Sequence, residues 1–160
     1  MEQLYGRPYA EMLQVLGVAD LHYTIVELGP ASPATHLRLH LAGRDPDEGL
    51  NDIAYEKGCL LLLTLKQLVG RPRLDAFITK YFAHFTFQSI DTTRFAAYLT
   101  QTLLTPEEEA RLNLPGWLDG PGLPPNAPVA RSARFAAVVA ALARRAAGTP
   151  PAELRPITQE

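Results

Sequence analysis

Ile53-Ala54-Tyr55-Glu56-Lys57-Gly58-Cys59-Leu60-Leu61-Leu62-Leu63-Thr64-Leu65-Lys66-Gln67-Leu68-Val69-Gly70 is the run that decides the fold. Asn51 or Asp52 is placed to cap a helix, and Gly70 is placed to end it after Val69. Between those signals Cys59, Leu60, Leu61, Leu62, Leu63 and Leu65 make the helix apolar nearly all round. Such a helix needs neighbours on several sides. The segments on either side also read as mostly α-helical.

Downstream, Pro72 opens a second helix whose inner face is predicted as Leu74, Phe77, Ile78, Tyr81, Phe82 and Phe85. Asp91 with Thr92 caps a third, carrying Phe95, Ala96, Tyr98, Leu99 and Leu103. Thr105-Pro106-Glu107-Glu108-Glu109 starts a short fourth, with a capping hydroxyl, a first-turn proline and acids at the positive end of the dipole. From Leu114 to Pro128 the chain turns Pro/Gly-rich, where no helix is expected to persist, with Trp117, Leu118 and Leu123 pinning it to a surface. Val129 to Ala147 resumes as an Ala-rich amphipathic helix, and 149–160 reads as frayed.

Upstream, Arg7 to Leu28 reads as a helix with Leu13, Leu16, Ala19-Asp20 and Tyr23 at helical spacing, stopped by Gly29-Pro30. Leu37, Leu39 and Leu41 alternate with Arg38 and His40, which predicts a half-buried extended piece. Asp45-Pro46-Asp47-Glu48-Gly49 is a turn. The resulting division is a helical lobe over 1–113, a connector over 114–128, and the opening of a further helical domain over 129–160, since a lone amphipathic helix cannot bury its own stripe.

Composition narrows the function. The 160 residues are 47% apolar and 20% charged with a net charge of -2, as in a soluble globular protein. That balance offers no electrostatic footprint for nucleic acid and no basic run for a membrane surface. One cysteine excludes an internal disulfide framework or a cysteine zinc site. Met1-Glu2-Gln3-Leu4-Tyr5 has no basic start or apolar leader, so the cytoplasm is the expected compartment.

His36 and His40 match the outer spacing of a His-Glu-x-x-His zinc helix, but Leu37 stands where the general base belongs. On an extended segment the two would lie roughly 13 Å apart, at about 3.3 Å per residue, too far to share a metal. No metal ligand is assigned in the chain. Cys59, inside an apolar run, is expected to be an inert core thiol. Tyr55 comes directly after a polar loop and has Gly58 and Cys59 beside it on the same face, so its hydroxyl could enter a cleft. Read from the residues alone, the favoured reading is an amphipathic tyrosine at a helix end, with its ring in the core and its hydroxyl in water. Asp45 and Asp47 read first as turn residues.

The order and spacing of several motifs adds to this. Asp45-Pro46-Asp47, Ile53-Ala54-Tyr55-Glu56-Lys57-Gly58, Phe87-Gln88-Ser89-Ile90-Asp91-Thr92-Thr93, Trp117-Leu118 and Pro121-Gly122-Leu123-Pro124-Pro125 together resemble the zinc aminopeptidases of the aminopeptidase N type, in their leukotriene A4 hydrolase-like branch. The resemblance covers roughly Arg7 to Ala147. It implies the helical lobe of a thermolysin-like metallopeptidase domain plus the first helix of a C-terminal helical-repeat domain. It implies zinc in the full-length enzyme, held by ligands upstream of the matched segment, a peptide substrate, and the remainder of the same polypeptide as partner. Tyr55 matches the family's catalytic tyrosine. A metal ion in that family polarises the scissile carbonyl, and a neutral phenol is a suitable donor to the developing oxyanion. Asp47 matches an aspartate that places a second water in the lipid-epoxide-opening members. Leu50 stands where those members carry an epoxide-contacting tyrosine, so aminopeptidase activity is the expectation. The fragment alone is expected to be inactive and to form homodimers through exposed apolar faces. The rival expectation is a self-contained helical interaction module without catalysis.

Overall fold

The computed structural model describes residues 2–150, apart from the side chains of Gln3, Pro46 and Glu48. Among the described residues the fold is helical and contains no strand. The helices are α1 (Glu2–Tyr5), α2 (Arg7–Leu28), α3 (Gly58–Val69), α4 (Arg71–His84), α5 (Thr92–Thr102), α6 (Pro106–Leu112), α7 (Leu114–Leu118) and α8 (Ala133–Ala146). Short 3-10 turns occupy Pro33–Thr35 and Pro46–Gly49, and a π-helical turn occupies Ile53–Lys57. None of the described helices is long and apolar enough to cross a membrane.

The chain divides into two compact units, Asp20–Pro128 and the flanking pieces up to Ala19 and from Val129 on. The larger unit holds the core. Its centre is α3, which packs against α4 and α6. Leu60, Leu61, Leu65 and Val69 of α3 are buried, and Leu62 is exposed on the remaining side. The apolar circumference of α3 thus meets neighbours on most of its faces and a groove on the last.

Local signals start and stop the surrounding helices as their chemistry requires. Asp91 accepts from the Arg94 amide at 2.8 Å to cap α5. Thr105 and Glu108 form a reciprocal capping box on α6. Gly70, at a φ of 80°, separates α3 from α4 in a conformation that β-carbons disfavour. Arg73 of α4 reaches across to Glu108 at 2.6 Å and to the Leu103 carbonyl at 2.7 Å. This pairing holds the Glu108 carboxyl below its ordinary range and adds to the capping box. Between α4 and α5 lies an aromatic cluster in which Tyr81 meets the rings of Phe77, Phe85, Phe95 and Tyr98 at 5.2–6.1 Å. His84 stacks on Tyr98 at 4.8 Å, a packing role for that histidine.

Several expectations are corrected here. In the later part of α2 the buried positions are Leu21, Thr24 and Ile25, and Tyr23 is exposed. Leu21 and Ile25 take the buried stripe, and Thr24 on the same side donates to Asp52 at 2.8 Å. Phe82 is exposed and does not belong to the inner face of α4. Leu37 to Leu41 is partly buried but forms no strand. Its Arg38 amide instead donates to the Leu118 carbonyl at 2.9 Å, while the Arg38 guanidinium pairs with Asp119 at 3.0 Å. The Pro/Gly-rich stretch does contain a helix. Pro115 sits in the first turn of α7, where its missing amide costs nothing, and Trp117 and Leu118 are buried in the core.

The smaller unit comprises α1, the first turns of α2, and α8. Arg7 pairs with Glu11 at 2.8 Å, and Tyr5 meets Tyr9 at 5.3 Å. Ser132 caps α8 by accepting from the Phe135 amide at 3.3 Å. No residue of α8 is buried, and Val139 and Leu142 are exposed.

Candidate functional site

The loop before the central helix is built by its own polar side chains. Asp45 accepts from the Asp47 amide at 3.0 Å, and the Leu50 amide donates back to the Asp47 carbonyl at 3.0 Å. Gly49 lets the loop settle, since a β-carbon there would lie 2.9 Å from Leu41 Cδ1. Asn51 then accepts from the Ile53 amide at 3.0 Å, so Asn51 provides the side-chain cap. Asp52 instead receives the Thr24 hydroxyl.

A π-helical turn, Ile53–Lys57, comes next and leads into α3 at Gly58. Turns of this kind are uncommon and concentrate at functional sites. Tyr55 stands on it, 65% exposed. It lines a groove of about 520 Å³ together with Leu37, Ala54, Gly58, Cys59, Leu61, Leu62, Thr92, Phe95 and Leu118. A β-carbon at Gly58 would meet nothing within 4 Å, so the space beside Tyr55 is open. The groove walls are apolar, and the Tyr55 phenol and the Thr92 hydroxyl are its hydroxyl groups. Asp47 is exposed and Leu50 is 65% exposed on the preceding loop, and neither lines the groove.

Lys57 occupies the other side of the same turn and is fully buried. Its ammonium donates to the carbonyls of Thr35 and Gly120, each at 2.9 Å. Burial lowers its pKa from 10.5 to about 8. Thr35, also fully buried, donates its hydroxyl to the Ser32 carbonyl at 2.7 Å and accepts the Gly122 amide at 2.8 Å. Gly120 cannot carry a side chain, because a β-carbon would lie 2.4 Å from the Gly116 carbonyl oxygen. Three segments distant in sequence are thus tied by one polar knot beneath Tyr55. Reading the sequence for chemistry missed Lys57. A signal was available: Ile53, Lys57, Leu60, Leu61 and Leu65 recur at helical spacing, so the lysine falls on the core stripe.

Cys59 is exposed in the groove wall, which corrects the expectation of a core thiol. It falls on the groove-facing side of α3, with Leu62. Crowding by neighbouring groups and the nearby Glu56 carboxylate both raise its pKa, so little thiolate exists at neutral pH. We expect a maleimide or iodoacetamide to label Cys59 in the folded chain, but more slowly at pH 7 than a free cysteine. Labelling that requires denaturant would contradict this placement. Glu56 itself is shifted upward by partial burial and by Asp52 and Asp20.

No group of three histidine, cysteine or acidic side chains able to hold a metal ion occurs among the described residues. His36 is half-buried with its amide donating to the Pro33 carbonyl at 3.1 Å, and His40 and His22 are exposed.

The profile of the Peptidase family M1 domain matches residues 31–113, just over half of the chain. Leucine aminopeptidase 2 of Coccidioides immitis is 30% identical over 126 residues, which is 76% of this chain and 20% of that protein. Leucine aminopeptidase 2 of Neosartorya fischeri is 32% identical over the same length and coverage. Among solved structures, yeast LTA4 hydrolase in complex with bestatin superposes with a TM-score of 0.77 at 27% identity, over 92% of this chain and 24% of that one. Native leukotriene A4 hydrolase from Saccharomyces cerevisiae gives a TM-score of 0.78 at 26% identity, over 93% and 24%. The chain spans about a fifth of the length of the curated relatives it matches.

Proposed function

Because the chain belongs to peptidase family M1, we propose that it supplies one wall of the active-site cleft of a zinc aminopeptidase that removes N-terminal residues from peptides. Tyr55 is the hydrogen-bond donor to the oxyanion that develops as the scissile carbonyl becomes tetrahedral. The observation that carries this reading is the placement of an exposed tyrosine on a π-helical turn, lining an open apolar groove. In this reading the phenol donates, Gly58 leaves room for a substrate backbone, and Leu61, Leu62 and Phe95 make the apolar wall beside it, which supports the assignment.

The described residues do not fit the family's metal, since no suitable ligand cluster exists among them. No part of the chemistry assigned to this chain passes through it. Residues 1–113 are assigned to the helical lobe, 114–128 to a connector, and 129–160 to a further helical domain. The Asp45 to Asn51 loop lies near substrate in this reading, with Asp47 orienting polar groups and Leu50 offering an apolar contact. Leucine at position 50 favours peptide over lipid-epoxide substrates. A self-contained interaction module is the second reading, favoured by the fully exposed ring of Phe87 and the exposed ring of Phe82.

The genomic frame upstream of Met1 separates the two readings. We expect it to encode a His-Glu-x-x-His motif, and a frame without one overturns the enzymatic reading. The protein expressed from that longer frame should release amino acids from aminoacyl-naphthylamides. It should lose that activity on chelation and regain it with zinc, while the 160-residue chain alone stays inactive. Activity that survives complete metal removal would refute the assignment.

A further inference from the structure

We propose that Lys57 is the positioning residue that aims Tyr55 into the groove. This rests on the reading of Tyr55 as the reacting-centre donor, although the geometry of the anchor stands on its own. Residues two apart on a helical turn point to nearly opposite sides. Tyr55 is 65% exposed, whereas Lys57 is fully buried in the same five-residue turn. The Lys57 ammonium holds two carbonyls from segments that flank the turn, Thr35 and Gly120, each at 2.9 Å. Those two segments are themselves joined by the Gly122 amide donating to the Thr35 hydroxyl at 2.8 Å.

A π-helical turn is wound more loosely than the α-helix beyond it, so its rotation about its own axis needs an outside constraint. The turn receives one at its far side. With Lys57 tied at two points, the turn is held against rolling, and the face carrying Tyr55 is kept on the groove it shares with Leu37, Phe95 and Leu118 of other segments. The anchor of the Lys57 amine is a pair of backbone carbonyls in place of a salt bridge. A flexible stem ending in a multi-donor ammonium suits that geometry, because one head group can serve two acceptors that do not lie in one plane.

The test uses the 160-residue chain labelled with 3-fluorotyrosine, with the Tyr55 fluorine resonance identified by its loss in Tyr55→Phe. In Lys57→Met, circular dichroism and the emission of the buried Trp117 should report a retained fold. The Tyr55 resonance should broaden about twofold or more, or split, while those of Tyr81 and Tyr98 in the aromatic cluster stay unchanged. A Tyr55 resonance with unaltered width and shift overturns the proposal. So does equal broadening of all tyrosines, which marks a general structural role. If Lys57→Met does not fold, native-state hydrogen exchange on the unmutated chain decides. The Gly58 amide, which donates to the Tyr55 carbonyl, and the Gly122 amide should open together with the same denaturant dependence. Independent opening of Gly58 overturns the proposal. These measurements read orientation and not turnover. They can therefore succeed even where Tyr55→Phe leaves the longer enzyme's activity intact and the catalytic reading falls.

Discussion

Replacing Tyr55 with phenylalanine in the longer metal-loaded enzyme is expected to lower kcat by about two to three orders of magnitude, the usual cost of deleting one oxyanion donor. The effect should fall on kcat and kcat/KM alike, because the bond to the oxyanion exists only in the transition state. Metal content should not change, since Tyr55 is not a metal ligand in this reading. Stability should hold within about 0.5 kcal/mol, because the ring is 65% exposed and losing its hydroxyl opens no cavity. Tyr23→Phe is the matched control. Tyr23 is 66% exposed on α2 and interacts with Glu27, so its replacement removes a surface hydroxyl away from the groove. Steady-state kinetics with zinc analysis on both variants checks the assignment. An unchanged kcat in Tyr55→Phe, or an equal loss in Tyr23→Phe, would sink it.

Alkaline pH is expected to stabilise the chain through Lys57. Burial lowers the Lys57 pKa to about 8, while the unfolded chain keeps the ordinary 10.5. The unfolded state therefore binds the proton more tightly than the folded state, and stability rises with pH across that interval. The cost of burying the charge is fully present below pH 8 and is relieved as pH approaches 10.5. At about 1.4 kcal/mol per pH unit, the interval corresponds to about 3 kcal/mol. The carbonyls of Thr35 and Gly120 favour the ammonium and work against that shift, so about 3 kcal/mol is an upper bound. Tyrosines and other groups also titrate near pH 10, which makes the informative quantity a difference. Urea unfolding of the unmutated chain and of Lys57→Met at about pH 7.5 and about pH 10 isolates it. The unmutated chain should gain stability relative to the variant at the higher pH. Parallel pH profiles would show that Lys57 carries no burial cost.

The groove and the knot are two sides of one construction. A lysine drawn into the core at the start of an apolar helix costs stability at neutral pH. The same lysine ties the loop at Thr35 and the segment at Gly120 to the turn that carries Tyr55. A local cost of this kind persists where the surroundings over-determine the element, so that contacts elsewhere offset it.

The sequence by itself determined where most helices begin and end. Asn51, Asp91 and Thr105 with Glu108 act within two to three residues of themselves, and the left-handed φ at Gly70 is likewise local. Signals of that range are written in order along the chain, so the Arg7–Leu28 helix and the start and stop of the central helical run were legible without coordinates. The motif order that marked the family was legible for the same reason. Only the tertiary structure decided which faces those helices bury. Tyr23 is exposed because the side of α2 that packs inward carries Leu21 and Ile25, along with Thr24, whose acceptor Asp52 lies twenty-eight positions away. Cys59 is exposed because it lies on the groove side of α3, whereas α4 and α6 pack on that helix elsewhere. Trp117 entered the core because α7 could form behind Pro115 and dock there. Lys57 is buried because carbonyls twenty-two and sixty-three positions away converge on it. Hydrophobic spacing ranks the faces of a helix, but the partner across the gap selects among them, and that partner is set by the fold as a whole.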